Sequence, residues 1–200
     1  MKRRAVVVTV FGSSRSGADD AEYQSARALG AALAEKRWVV CSGGYGGVME
    51  AVSRGAKEAG GRTLAVTARS FSRRANRWID EEIRVDTWQE RLFELIARGQ
   101  GYVACPGGTG TLVELAVVWE MLNKGVMRDK PMIVLGEFWQ PVIKCVRELE
   151  LGHDSGWGER KGGLIYSAAA PADAAEFLSA RLTAASAGTK AAYKRKLSVT

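Results

Sequence analysis

The sequence predicts an α/β protein, a three-layer, doubly wound, mostly parallel sheet with helices on both faces. Three observations lead there. Short apolar runs rich in β-branched residues alternate along the chain with longer segments of helical periodicity. The runs lack a polar face, as strands do when a parallel sheet is covered on both sides. Glycine-rich turns at 12–17, 42–47 and 106–111 each follow such a run, so a parallel sheet would bring all three to one edge.

Taken in order, Ala5 to Phe11 reads as the first strand and Gly12-Ser13-Ser14-Arg15-Ser16-Gly17 as its turn. A helix follows, with Asp19 or Asp20 near its start and Ala26, Leu29, Ala32 and Leu33 inward. Trp38 to Cys41 is a second strand, and Ser42 to Gly47 a second glycine turn into a helix that ends near Glu58, before Gly60-Gly61. Thr63 to Thr67 is the third strand. The segment from Ala68 to Glu82 is basic, aromatic and long for a plain connection; Arg73, Arg74, Arg77 and Trp78 could meet a phosphate and a base there. A solvated loop or a subunit contact would also account for it.

Ile83 to Asp86 is a short fourth strand, and Trp88 to Ala97 a helix with Leu92, Leu95 and Ile96 inward. Tyr102 to Cys105 leads into the central glycine turn and a helix reaching about Asn123. Pro131 to Gly136 is another strand, and Phe138 opens the next helix, to about Leu149. Residues 151–163, with His153 and Trp157, read as loop. Leu164 to Tyr166 is a late strand and Ala172 to Leu182 a last helix. One domain over 1–182 is expected, with a basic, disordered tail at 183–200.

The centre of this arrangement is Pro106-Gly107-Gly108-Thr109-Gly110-Thr111-Leu112-Val113-Glu114. A strand, a glycine turn and a helix start together make an anion site. The glycines let a ligand approach the main chain, and the unpaired first-turn amides point at it with the helix dipole behind them. Thr111 adds a hydroxyl. Glu114, three residues on, shares its helix face and can stand over the same pocket. Ser13, Ser14, Gly43 and Gly44 belong to the neighbouring turns and could meet the same ligand.

Composition removes several alternatives. The chain has 200 residues, 46% hydrophobic and 26% charged, enough to bury a core without disulfides. No run approaches the ~20 apolar residues of a membrane span, and a cytoplasmic protein is expected. The three cysteines, Cys41, Cys105 and Cys145, lack any Cys-x-x-Cys spacing and read as buried free thiols. With His153 as the sole histidine, histidine-based metal sites and Ser-His-Asp triads have little support; no metal or cofactor is expected. The net charge of +7 raises nucleic-acid binding, but the basic clusters belong to no recognisable DNA- or RNA-binding motif. Glycine spacing does not match the dinucleotide fingerprint, which argues against NAD.

Pro-Gly-Gly-x-Gly-Thr-x-x-Glu, as it stands at 106–114, resembles the signature of the LOG family, the "lysine decarboxylase-like" proteins. The turn at 42–47 resembles that family's other glycine loop, departing at Glu50. The resemblance implies a phosphoribohydrolase that cuts the N-glycosidic bond of a purine-type nucleoside 5′-monophosphate, AMP or an N6-substituted AMP such as a cytokinin precursor. It implies Glu114 and Arg91 as catalytic residues, with Arg91 keeping Glu114 ionised. Gly107, Gly108, Thr109, Gly110 and Thr111 would hold the phosphate, faced by Gly43 and Gly44. It also implies a homodimer. The aromatic residues Trp88, Phe93, Trp119 and Trp139 suit such an interface, or simply a core. Leu92 stands where the family has a lysine next to its arginine, and this keeps open a nucleotide sensor or carrier that performs no chemistry.

Overall fold

The computed structural model describes residues 5–127, 130–152 and 163–183. Seven strands form one parallel sheet: β1 (Val7–Phe11), β2 (Val39–Ser42), β3 (Arg62–Ala68), β4 (Glu81–Val85), β5 (Gly101–Ala104), β6 (Met132–Leu135) and β7 (Ile165–Ala168). The helices are α1 (Ala21–Glu35), α2 (Val48–Glu58), α3 (Trp88–Arg98), α4 (Thr109–Asn123), α5 (Gln140–Gly152) and α6 over 171–183. The expected three-layer fold is present, with element ends shifted by one to three residues. The largest functional shift is at α4, which already includes Thr109, Gly110 and Thr111. His153, Trp157 and the tail from 184 onward lie outside the described residues.

Strand order is β4-β3-β2-β1-β5-β6-β7. The chain builds outward from β1 to β4, then returns to the other side of β1. The reversal falls between β1 and β5, and their carboxyl ends are where such sheets hold ligands.

Alternation along the strands feeds two cores. Val8 and Val10 of β1 pack with Leu29 and Leu33 of α1, Ala51 and Val52 of α2, and Ala174 and Leu178 of α6. Phe11 faces the opposite layer, with Leu92 and Leu95 of α3, Leu115 and Val118 of α4, and Ile143 of α5. Trp119 and Trp139 are buried in this second core, whereas Phe93 is 56% exposed. Cys41 and Cys105 are buried as expected, and burial pushes both thiols up to about 12. Cys145, on α5, is exposed, contrary to the expectation for all three.

α1 and α2 meet almost backbone to backbone. A Cβ on Gly30 would collide with the Val52 carbonyl oxygen, and one on Gly55 with the Arg27 carbonyl oxygen. Arg27 Nε also reaches Glu58 Oε2 at 2.6 Å across the same crossing.

Candidate active site

The loops after β1, β2 and β5 are tied to one another by main-chain bonds. Ser13 N donates to Pro106 O at 3.1 Å, and Val48 N, at the start of α2, donates to Ser13 O at 2.8 Å. The first amide of α2 is therefore used internally. The amides of Thr109, Gly110 and Thr111 open α4 and have no acceptor within the helix, which leaves them for an anion.

A cleft of about 790 Å³ lies over this edge. Gly108, Thr109, Gly110, Thr111 and Glu114 line it from α4, and Gly12 to Arg15 from the β1 loop. Tyr45, Met49, Phe71, Trp88 and Arg91 complete the walls, with Ser70 and Arg73 from the segment after β3. Of the residues expected at the ligand, Ser13, Ser14, Gly108, Thr109, Gly110, Thr111, Arg91 and Glu114 are thus brought together. Gly107, Gly43 and Gly44 do not line the cleft. Gly107 closes against Thr111 and the Ser13 amide. Gly43 gives its missing side chain's space to the Arg91 guanidinium, and Gly44, at φ +76°, presents its carbonyl to Asn76.

Arg91 is held from several sides. A capping box between Thr87 and Glu90 fixes the start of α3 one turn before it. Its Nε donates to Val66 O at 2.9 Å, and its guanidinium sits 5.4 Å from the Tyr45 ring and 5.7 Å from that of Phe71. Nη1 then lies 3.6 Å from Glu114 Oε1, with the two side chains 7% and 13% exposed. Burial pushes the Glu114 carboxyl up to about 7, with Arg91 pulling the other way. The expectation that Arg91 keeps this acid ionised is corrected: loss of water outweighs the nearby cation.

Leu92 points away from all of this. It is 5% exposed and packs in the core with Leu64 and Val66. On α3 the residue after Arg91 is rotated from it by about 100°, and here that rotation carries Leu92 into the core.

The basic segment after β3 divides. Ser70, Phe71 and Arg73 line the cleft, while Arg77 stacks 4.8 Å from the ring of Trp78, whose other neighbour is Arg54 at 5.6 Å. Neither Arg77 nor Trp78 reaches the ligand space as the sequence suggested. Asn76 pins the segment down, donating to the carbonyls of Gly44 and Tyr45 at 3.0 and 2.9 Å. Sequence reasoning missed Tyr45, Met49 and Phe71. Tyr45 lies inside a glycine turn, an unusual place for a large ring, and that was the available signal. Among the described residues no group of three His, Cys, Asp or Glu side chains could hold a metal ion.

The sequence profile of the SLOG cluster4 family matches residues 5–151, most of the chain. The chain belongs to the SLOG cluster4 family. Similar proteins include a cytokinin riboside 5′-monophosphate phosphoribohydrolase of Mycobacterium marinum, 38% identical over 55% of this chain and 60% of that protein. Another of that description, from Arabidopsis thaliana, is 33% identical over 68% of this chain and 60% of its own length. An uncharacterized protein of Archaeoglobus fulgidus is 33% identical over 58% of the chain and 76% of its length. The matched stretch thus spans about three fifths of the phosphoribohydrolases. These relatives place the chain with the LOG family. Among solved structures, the molybdenum cofactor binding protein of Rippkaea orientalis superposes with a TM-score of 0.70 at 21% identity, covering 91% of this chain and all but 1% of the other. The Moco carrier protein of Chlamydomonas reinhardtii gives 0.69 at 24% identity, over 90% of this chain and 99% of its own. Those two share the fold. No helix among the described residues is long and apolar enough to cross a membrane.

Proposed function

We propose that this protein hydrolyses the N-glycosidic bond of a purine-type nucleoside 5′-monophosphate, AMP or an N6-substituted AMP, to free base and ribose 5-phosphate. The observation that carries this reading is the buried Glu114 carboxyl, poised near neutrality 3.6 Å from Arg91 and one helical turn beyond the open amides of α4. The 5′-phosphate sits on the amides of 109–111 with the Thr111 hydroxyl, aided by Gly108, Ser13 and Ser14. The ribose then lies against Glu114, and the base reaches the rings of Tyr45, Phe71 and Trp88.

In its neutral form Glu114 donates a proton to the departing base as the C–N bond lengthens. The resulting carboxylate faces the cationic sugar and accepts a proton from the water that adds to the anomeric carbon. One water is consumed and the acid is regenerated. Arg91 holds the ribose hydroxyls and keeps the carboxylate form within reach near neutral pH.

The working unit in this reading is a cytoplasmic homodimer. The outer face of α4 carries half-buried Val113, Val117 and Met121 and exposed Ala116, an apolar stripe, and Phe93 of α3 is exposed as well. A second reading, a nucleotide carrier without turnover, draws on a cleft lining that holds no lysine among the described residues and on the fold shared with carrier proteins.

Release of free base from AMP and from an N6-substituted AMP, by wild type and by Glu114→Ala, separates the two. Release that the substitution abolishes supports the hydrolase. Nucleotide binding with no release by either protein would overturn it in favour of the carrier.

A further inference from the structure

Four arginines punctuate the segment between β3 and β4, and they are used differently. Arg69 Nε pairs with Asp86 Oδ1 at 3.0 Å. Arg77 stacks on Trp78. Arg74 does not line the cleft, and Arg73 does. Arg73 is exposed to solvent, and among the described residues no carboxylate stands within ion-pairing distance of it, so its guanidinium is available to a ligand in the cleft.

Its position follows from the sheet order. The amides at the start of α4 follow β5; moving along the edge, the β1 loop comes next, then the β2 loop with Tyr45, then the β3 segment with Phe71 and Arg73. Three strand spacings separate β5 from β3, roughly 14 Å at about 4.8 Å each. Between the two ends stand Glu114, Arg91 and the edge-to-face pair of Tyr45 and Phe71, with ring centroids 5.9 Å apart. Arg15 comes from the loop adjoining α4, so it serves the near end. The far end is fixed rather than trailing: Asn76 clamps the segment to the β2 turn, and Ser70 N donates to Asp86 O at 3.3 Å.

We infer that Arg73 forms a second anion subsite, at the opposite end of the cleft from the α4 amides, and that the preferred ligand carries an acidic group on its base as well as its 5′-phosphate. This rests on the nucleotide reading above and specifies the substrate class within it. A cleft of about 790 Å³ is near the upper end for a small ligand and leaves room for such an extension. An uncharged alkyl group on the base would leave Arg73 to water, whereas a carboxylate there gains a charge-assisted bond.

The probe is adenylosuccinate, an AMP whose N6 bears a dicarboxylic acid, compared with AMP itself. Affinities are measured calorimetrically on the full chain in a Glu114→Gln background that blocks turnover, alone and combined with Arg73→Gln or Arg74→Gln. Adenylosuccinate should bind about ten-fold or more tightly than AMP, the equivalent of one charge-assisted hydrogen bond. Arg73→Gln should bring that ratio close to one, while Arg74→Gln leaves it high. AMP binding without a preference for adenylosuccinate, or equal loss in both arginine variants, would overturn the subsite and leave the nucleotide reading standing. Failure of AMP itself to bind would overturn both.

Discussion

Nη1 of Arg91 stands 3.6 Å from Oε1 of Glu114, and burial nevertheless pushes the carboxyl up to about 7. A guanidinium at this distance ordinarily drives a carboxyl down. Here α4 carries the acid into a wall where it is 13% exposed, and Arg91 divides its donors between Glu114 and Val66 O. The pair is a balance between desolvation and attraction, and its position near neutrality sets the pH behaviour.

Stability should record that balance. The carboxyl is raised above its unfolded value of about 4.5, so the native state binds the extra proton between pH ~4.5 and ~7 and the wild type loses stability as pH rises through this window. Glu114→Gln never ionises. It should match wild type near pH 4.5 and be more stable above pH 7, by on the order of 3 kcal/mol. Denaturant melts of both proteins at pH 4.5 and pH 8 measure this, and an equal difference at the two values would refute it.

Activity should follow the same group. If neutral Glu114 gives its proton to the leaving base, kcat/KM for AMP falls as pH rises through about 7. Arg91→Gln removes the cation that pulls the carboxyl down and should move this limb upward, by about one pH unit, besides lowering the rate. A limb that stays in place would assign the titration to another group.

Gly110 offers a clean separation of binding from folding. A Cβ there meets nothing within 4 Å, because the space is the open cleft over the first turn of α4. Gly110→Ala should fold with unchanged or higher stability, up to about 1 kcal/mol more from the reduced entropy of the unfolded chain. Its methyl group would occupy the phosphate's approach, so AMP affinity should fall at least about ten-fold. Paired thermal melts and titrations decide it.

Gly43→Ala should behave differently. The new Cβ collides with the Arg91 guanidinium and comes within 2.6 Å of Met49 Sδ, both at the flexible ends of side chains. Folding should survive at a cost of about 1–2 kcal/mol, while displacement of Arg91 lowers kcat far more than it raises KM. A raised KM with unchanged kcat would place Arg91 in binding alone.

The fold was legible because it is written in short-range signals: apolar runs for buried strands, helical spacing, glycines between them. Those same signals led to α4 and Glu114, whereas Arg91 came from the resemblance to the LOG family. What they did not reveal depends on contacts distant in sequence. Gly43 resembles a phosphate-binding glycine, yet its role emerges only when α3 lays Arg91 across it. Leu92 looked like a substitution within the site, but the helical turn between it and Arg91 sends it into the core. The ionisation of Glu114 was misjudged for a related reason. The charge partner can be read from a motif, whereas the degree of burial needs the assembled walls. Arg73 and Arg77 are four residues apart and chemically identical; a stacking partner at Trp78 diverts one of them.

The glycine crossing of α1 and α2 has a kinetic consequence. With Gly30 against Val52 and Gly55 against Arg27, neither helix has side-chain padding along which to slide or tilt. The turns that precede these helices therefore form a stationary jaw, locked further by the Val48-to-Ser13 bond. Any opening that admits or releases a ligand must come from the other side, where the strap of residues 69–80 is tied at one end to Asp86 by Arg69 and Ser70, at the other to Thr63 and Lys57 by Asp80, and in the middle to the β2 turn by Asn76. With both ends of the strap held, ligand exchange should then run at the pace at which its middle, residues 71–77, lets go of the β2 turn through Asn76.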